Sequence, residues 1–194
     1  MNTKIILHCF LLLSLASCKK DSTVDPGDSP LPNNTPIVSI SVGNEYNIWY
    51  GELTGIAYVD WGHRTSVLRD TTVNGNKYFV LSSGELLRST TTSVVELIGS
   101  AEVVLYRFNV VVGDSISYQG RQLKITSITT DTVFVSTQKI IEASNVSSTP
   151  DTTVLIRFAT KFGMLYTRKS APSRMSTTSL IGAKIDTIKY GNMY

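Results

Sequence analysis

The chain has 194 residues, with 18 basic and 15 acidic side chains, two cysteines, 42% apolar residues and 17% charged ones. Those proportions fit one ordinary globular domain and exclude two large ones, a disordered chain and a collagen-like polymer. A net charge of +3, spread evenly along the sequence, lacks the concentrated basic surface that phosphate binding needs, so no nucleic-acid partner is expected.

In chain order, Lys4 and an apolar run from Ile5 to Leu15 lead into Ala16-Ser17-Cys18. Residues 1–17 are therefore read as a signal peptide. Its apolar run is far shorter than the roughly 20 residues a spanning helix needs, and no later segment comes closer. Residues 18–36 hold prolines, glycine and small polar residues with almost no large apolar side chain, and are read as a flexible tether. If extended, residues 20–36 of it reach about 50 Å at roughly 3.1 Å per residue.

From Ile37 to the end, short runs of valine, isoleucine, threonine and aromatic residues are punctuated by glycine, asparagine and aspartate. The expected fold is all-β: a single antiparallel domain over 37–194, either a β-sandwich or a partly open barrel built from hairpins. Val154, Ile156 and Phe158 alternate with Leu155, Arg157 and Ala159, and Leu123 and Ile125 with Gln122 and Lys124, as half-buried strands require. Asn74-Gly75 suits a two-residue hairpin loop, and Ser83-Gly84, Gln119-Gly120 and Thr130-Asp131 divide the later runs. Val103–Val112 is apolar almost throughout and predicts a central strand covered on both faces. Trp61-Gly62-His63 reads as a turn between strands, and Ser173–Leu180 admits a short helical turn. The 46 serines and threonines supply a hydroxyl-rich outer face that keeps such a sheet soluble with few charges.

Several stretches resemble known proteins. Leu15-Ala16-Ser17-Cys18 resembles the bacterial lipobox, which implies cleavage before Cys18, three acyl chains on the new terminus and anchoring to a membrane. An ordinary secretory signal with a chance cysteine is the alternative. The absence of aspartate after Cys18 implies an outer-membrane location by the same resemblance. Arg69–Tyr78 resembles the "GDTxINGKxY" hairpin of a large set of secreted and lipid-anchored Bacteroidota proteins. Val104–Asp114 resembles their "LLYDFNLKVGD" stretch, and Gly163-Met164-Leu165 keeps part of their "IEGIGSxxGLL" segment. The resemblance spans most of residues 46–191 and implies a β-rich envelope module with no catalytic activity attached. Six Asp-Ser/Thr pairs also resemble Bacteroidota O-glycosylation sites, with Ser22, Thr71, Ser115, Thr132, Thr152 and Thr187 as acceptors. Turn-to-strand junctions generate the same pattern unaided.

With Cys9 lost with the signal and Cys18 lipidated, the folded part has no thiol for a disulfide, a metal site or nucleophilic catalysis. His63 is its only imidazole, and no Gly-x-Ser-x-Gly elbow accompanies it. Among the acidic residues Glu45, Glu52, Asp60, Glu85, Glu96, Glu102 and Glu142, no spacing selects a catalytic pair. No cofactor or metal motif occurs, although calcium held by scattered oxygens needs none. Tyr46, Trp49, Tyr50, Tyr58 and Trp61 crowd into 16 residues. Trp49, Tyr58 and Trp61 are the candidate ligand-binding residues, although core packing can also account for most of these rings. Tyr46, Ile48 and Tyr50 share one strand face and Trp49 the other. The expected role is a non-catalytic envelope protein that binds a glycan or another envelope protein, with a glycan-active hydrolase or a purely structural component as alternatives.

Overall fold

The computed structural model describes residues 35–145 and 152–193. Cys18 and Ser22 lie outside the described residues. The fold is a meander: β1 (Glu45–Thr54), β2 (Ala57–Val73), β3 (Asn76–Leu81), β4 (Leu86–Ser89), β5 (Ser93–Ile98) and β6 (Ala101–Arg107) pair antiparallel in sequence. A second run does the same: β7 (Ser115–Tyr118), β8 (Arg121–Val133), β9 (Ser136–Ser144), β10 (Thr153–Ala159), β11 (Gly163–Ala171) and β12 (Arg174–Ile185). β12 then pairs with β1, joining both runs into one sheet, and the short β13 (Ile188–Gly191) adds to β12. The sheet curls until its two ends, β6 and β7, meet, giving a nearly closed barrel. Of the two expected architectures, the partly open barrel is the one adopted.

Local sequence explains much of this path. Asn74 and Gly75 have φ of 51° and 77°, and Gln119 and Gly120 have 49° and 75°. Two consecutive positive φ values define the hairpin loop whose twist matches its strands. Register shifts in β1, β2, β5, β8 and β10 supply local bends that help a sheet curl.

The core lies against β8, β9 and β10. Leu123, Ile125, Ile141, Ala143, Val154, Ile156 and Phe158 are all buried, and Gln122, Lys124, Leu155 and Arg157 are more open, as the alternation predicts, whereas Ala159 beyond the register shift in β10 is buried as well. Ahead of β1, Val38 and Ile40 are buried against the same core. Asn44 fastens this segment: its Nδ2 donates to the Ser39 carbonyl (3.1 Å) and its Oδ1 accepts from the Asp186 amide (2.8 Å). Since Asn44 is fully buried, Asn44→Ala should cost about 1–3 kcal/mol through partners left unpaired, readable as a lowered urea midpoint. A second cluster of Phe162, Ala183, Ile185 and Tyr190 sits where β13 docks.

Four expectations are corrected. Val103–Val112 is not a central strand: β6 ends at Arg107 and forms one end of the sheet, where Val103 and Val104 border an open cleft and stay exposed. Past Arg107 the chain leaves the ladder, burying Phe108 and Val110 while Val111 and Val112 face solvent. Trp61-Gly62-His63 lies within the 17-residue β2, and Ser173–Leu180 lies almost wholly in β12. β8 runs through Thr130-Asp131 to Val133, with the reversal at Phe134-Val135.

Candidate functional site

Residues directly opposite in an antiparallel sheet share a face, so register locates the inner wall of the barrel. One row crosses seven strands: Ile125, Ala143, Ile156, Thr167, Thr178, Tyr50, Trp61. Its first three members are sealed in the core, Thr167 is nearly so, and Trp61 is 48% exposed. The interior therefore changes character around the barrel, apolar along β8–β10 and polar along β11, β12 and β1. The next row continues the change, from Val154 through Lys169, Ser176 and Glu52 to Val59.

The polar half is the wall of a cleft of about 1170 Å³, whose opposite side is built from β5, β6 and the β7–β8 hairpin, including Glu96, Tyr106 and Tyr118. Lys169 on β11 reaches across to donate to Gln119 Oε1 at 2.6 Å, tying the hairpin to the far wall. Burial raises the phenol pKa of both Tyr106 and Tyr118, so these stay neutral donors.

On the polar wall, Tyr50 and Trp61 stack with ring centroids 4.1 Å apart at 36°. The Tyr50 hydroxyl donates to Glu52 Oε2 at 2.6 Å, and Arg174 Nη2 donates to the same oxygen at 2.8 Å. Thr54 Oγ1 donates to Glu52 Oε1 at 3.1 Å. The hydrogen bond from Arg174, followed by that from Tyr50, lowers the Glu52 pKa to about 2. The same contacts raise the pKa values of Arg174 and Tyr50. Arg174 is largely exposed, so the pair adds little to stability and acts mainly to hold Tyr50 and Arg174 in place.

Sign follows from direction: a carboxyl lowered from 4.5 to about 2 contributes fully above its unfolded value and loses that contribution as pH falls through the folded one. Thermal melting against pH should therefore decline slightly between about 4.5 and 2, and Glu52→Gln should lower the neutral plateau slightly and make that decline shallower, the rest of it coming from Asp70 and Glu102, whose carboxyls Lys77 and the Tyr78–Arg88 pair also hold down.

The three candidate ligand-binding residues do not form one platform. Trp61 is on the inner face beside Tyr50. Trp49 and Tyr58 are on the outer face of the same hairpin, because Trp49 is opposite Gly62 and Ser179, and Tyr58 opposite Leu53. Each outer ring lies over a strand glycine: a Cβ on Gly62 would be 3.3 Å from the Trp49 ring, and one on Gly51 2.8 Å from the Tyr58 hydroxyl. Strand alternation separates Trp49 from Tyr50, but it cannot reveal which face becomes concave. Glu52 and Arg174 are 122 residues apart, so no spacing in the sequence pairs them.

The Asp-Ser/Thr sites scatter. Ser115 opens β7 and Thr187 occupies the β12–β13 turn, both exposed, at turn-to-strand junctions. Thr71 and Thr132 are inside β2 and β8, and Thr152 precedes β10. His63 is exposed in β2 opposite Ile48, with no hydrogen bond recorded among the described residues. No group of three or more metal-binding side chains occurs among the described residues.

Comparison with known protein families and with curated proteins returned no match.

Proposed function

We propose that this is a lipid-anchored protein of the cell envelope whose barrel binds an oligosaccharide without catalysis, in the cleft between β1–β12–β11 and the β5–β7 wall. The observation carrying this reading is that Tyr50 and Arg174 line this cleft, with Trp61 stacked on Tyr50 and Glu52 bridging Tyr50 to Arg174 on the same face of the sheet. A sugar offers a flat C–H face to an aromatic ring and hydroxyls to fixed donors and acceptors. Ser176, Thr178 and Thr167 supply further hydroxyls on the same wall. The volume suits more than one sugar ring, since ordinary small-ligand pockets span about 300–1,000 Å³.

Non-catalytic binding is favoured over hydrolysis by the state of Glu52. Glycoside cleavage needs a protonated carboxyl facing an ionised one, and Arg174, by holding Glu52 ionised, keeps it from the acid role and suits it to accepting hydrogen bonds from a bound hydroxyl. The anchor rests on the lipobox resemblance at Cys18, together with the proline-rich segment that follows it.

Titrating a panel of neutral and acidic oligosaccharides against tryptophan fluorescence tests the binding site. Trp61→Ala should weaken the best ligand by about tenfold or more, equivalent to roughly 1.4 kcal/mol, while Tyr58→Ala on the outer face leaves affinity unchanged. Equal losses from both substitutions, or none from either, would refute this site. Mass spectrometry of the membrane-extracted protein tests the anchor, the expected result being an acylated N-terminal Cys18.

A further inference from the structure

The two halves of β2 have different neighbours. Ala57–Ser66 pairs with β1, but β3 reaches back only to Val67, with two further bonds at Ser66, whose carbonyl accepts from the Ser82 amide and whose amide donates to Ser82 Oγ. Residues 57–65 thus have a ladder on one side only. This edge is about 30 Å long at roughly 3.3 Å per residue. It carries no proline, lysine or bulge, and of the devices that usually keep a strand edge from pairing it has only the charges of Asp60 and Arg64, which are of opposite sign. Tyr58, Val59 and Trp61 stand 60%, 56% and 48% exposed along it.

The sequence of this edge is self-complementary. A two-fold axis perpendicular to the sheet keeps each face on its own side, so any residue i can face only a residue of the same parity in a second copy. Among the allowed registers, the one centred on Gly62 alone sets Asp60 opposite Arg64. It also places Trp61 opposite His63 and Val59 opposite Thr65, each pairing occurring twice. Asp60 makes no ion pair among the described residues. Arg64 uses Nε on Asn47 and Nη1 on Glu45, and no bond to its Nη2 is recorded among the described residues.

We propose that the first half of β2 is a homodimer edge, pairing antiparallel with the same segment of a second copy about a two-fold axis through Gly62. The dimer joins two sheets side by side and leaves each cleft on its own concave face.

Two differently tagged full-length chains, co-expressed and captured through one tag, test this. Wild-type copies should co-purify. Asp60→Lys paired with itself and Arg64→Glu paired with itself should each lose at least tenfold in recovered partner, because every cross-strand pair then carries like charges. Asp60→Lys mixed with Arg64→Glu should recover the wild-type level, since both pairs become opposite again. Independently of charge, oxidising a mixture of Asp60→Cys and Arg64→Cys chains should give a disulfide-linked dimer beyond the background that Cys9 and Cys18 set in the wild type. Asp60→Cys alone should not. Wild-type copies that do not co-purify, as when the edge is monomeric or takes a different protein's strand, would overturn the proposal. So would single variants that still pair, or mixtures that fail to recover.

Discussion

Replacing Phe158 by alanine is expected to cost the domain about 3–5 kcal/mol, the range for emptying a fully buried aromatic site. Phe158 is 0% exposed and meets the rings of Tyr106 and Phe108 at centroid separations of 5.5 and 5.3 Å. Those rings belong to β6 and the segment leaving it, whereas Phe158 sits on β10, eight strands further along the sheet. With no ladder between β6 and β7, this aromatic contact, together with the shared core around Val94, Phe108 and Val110 and the Lys139 bond to the Phe108 carbonyl, holds the free end of the sheet against the opposite wall. The loss should therefore exceed the area of the ring, because β6 and the cleft wall it forms lose their support. Chemical denaturation should show a midpoint falling by that amount, and Phe158→Leu, which keeps more of the volume, should fall less. A Phe158→Ala variant within about 1 kcal/mol of wild type would mean that the site collapses without cost.

Legibility tracked local physics. Strands with one apolar face, such as β8 at Leu123–Ile125 and β10, announce themselves by alternation, and Asn-Gly or Gln-Gly loops announce their own geometry. β12 gave no such signal because the face it turns inward is itself polar, with Arg174, Ser176 and Thr178 lining a cleft. A strand that serves a wet concavity loses the pattern by which strands are recognised. The reversal after β8 illustrates the converse: Thr130-Asp131 has turn chemistry, yet the chain turns at Phe134, whose φ is 57°. Phe134 packs edge-on to Phe162 at 5.4 Å, a contact 28 positions away that no local pattern contains.

The site was partly legible for the same reason. Crowded aromatics between Tyr46 and Trp61 pointed to the β1–β2 hairpin, but which rings turn to the inner face depends on the direction in which the sheet curls. That direction is a property of thirteen strands together. Glu52 became significant only through Arg174, which register places one row away on the neighbouring strand.

Gly182→Val should be the most disruptive single change outside the main core, costing about 2–5 kcal/mol from overpacking and a lost buried hydrogen bond. Gly182 lies opposite Asn47 on one side and Gly191 on the other, and the backbone of Asn192 passes directly over it, where a Cβ would collide. Backbone cannot step aside as a flexible side chain does. Asn192 is held there by its amide to the Ile181 carbonyl at 2.7 Å, and its own carbonyl accepts from Asn47 Nδ2 at 3.0 Å. The expected outcome is expulsion of β13, which unpairs buried Asn47 and opens the cluster of Phe134, Phe162 and Tyr190. Hydrogen exchange should then rise selectively at residues 188–191 and in the facing part of β12, with the β8–β10 core still protected. Gly51→Ala provides the contrast, because the atom in its way is the hydroxyl of exposed Tyr58, which can swing outward. A Gly51→Ala variant as unstable as Gly182→Val would show that strand-glycine intolerance comes from backbone conformation and not from what each glycine touches.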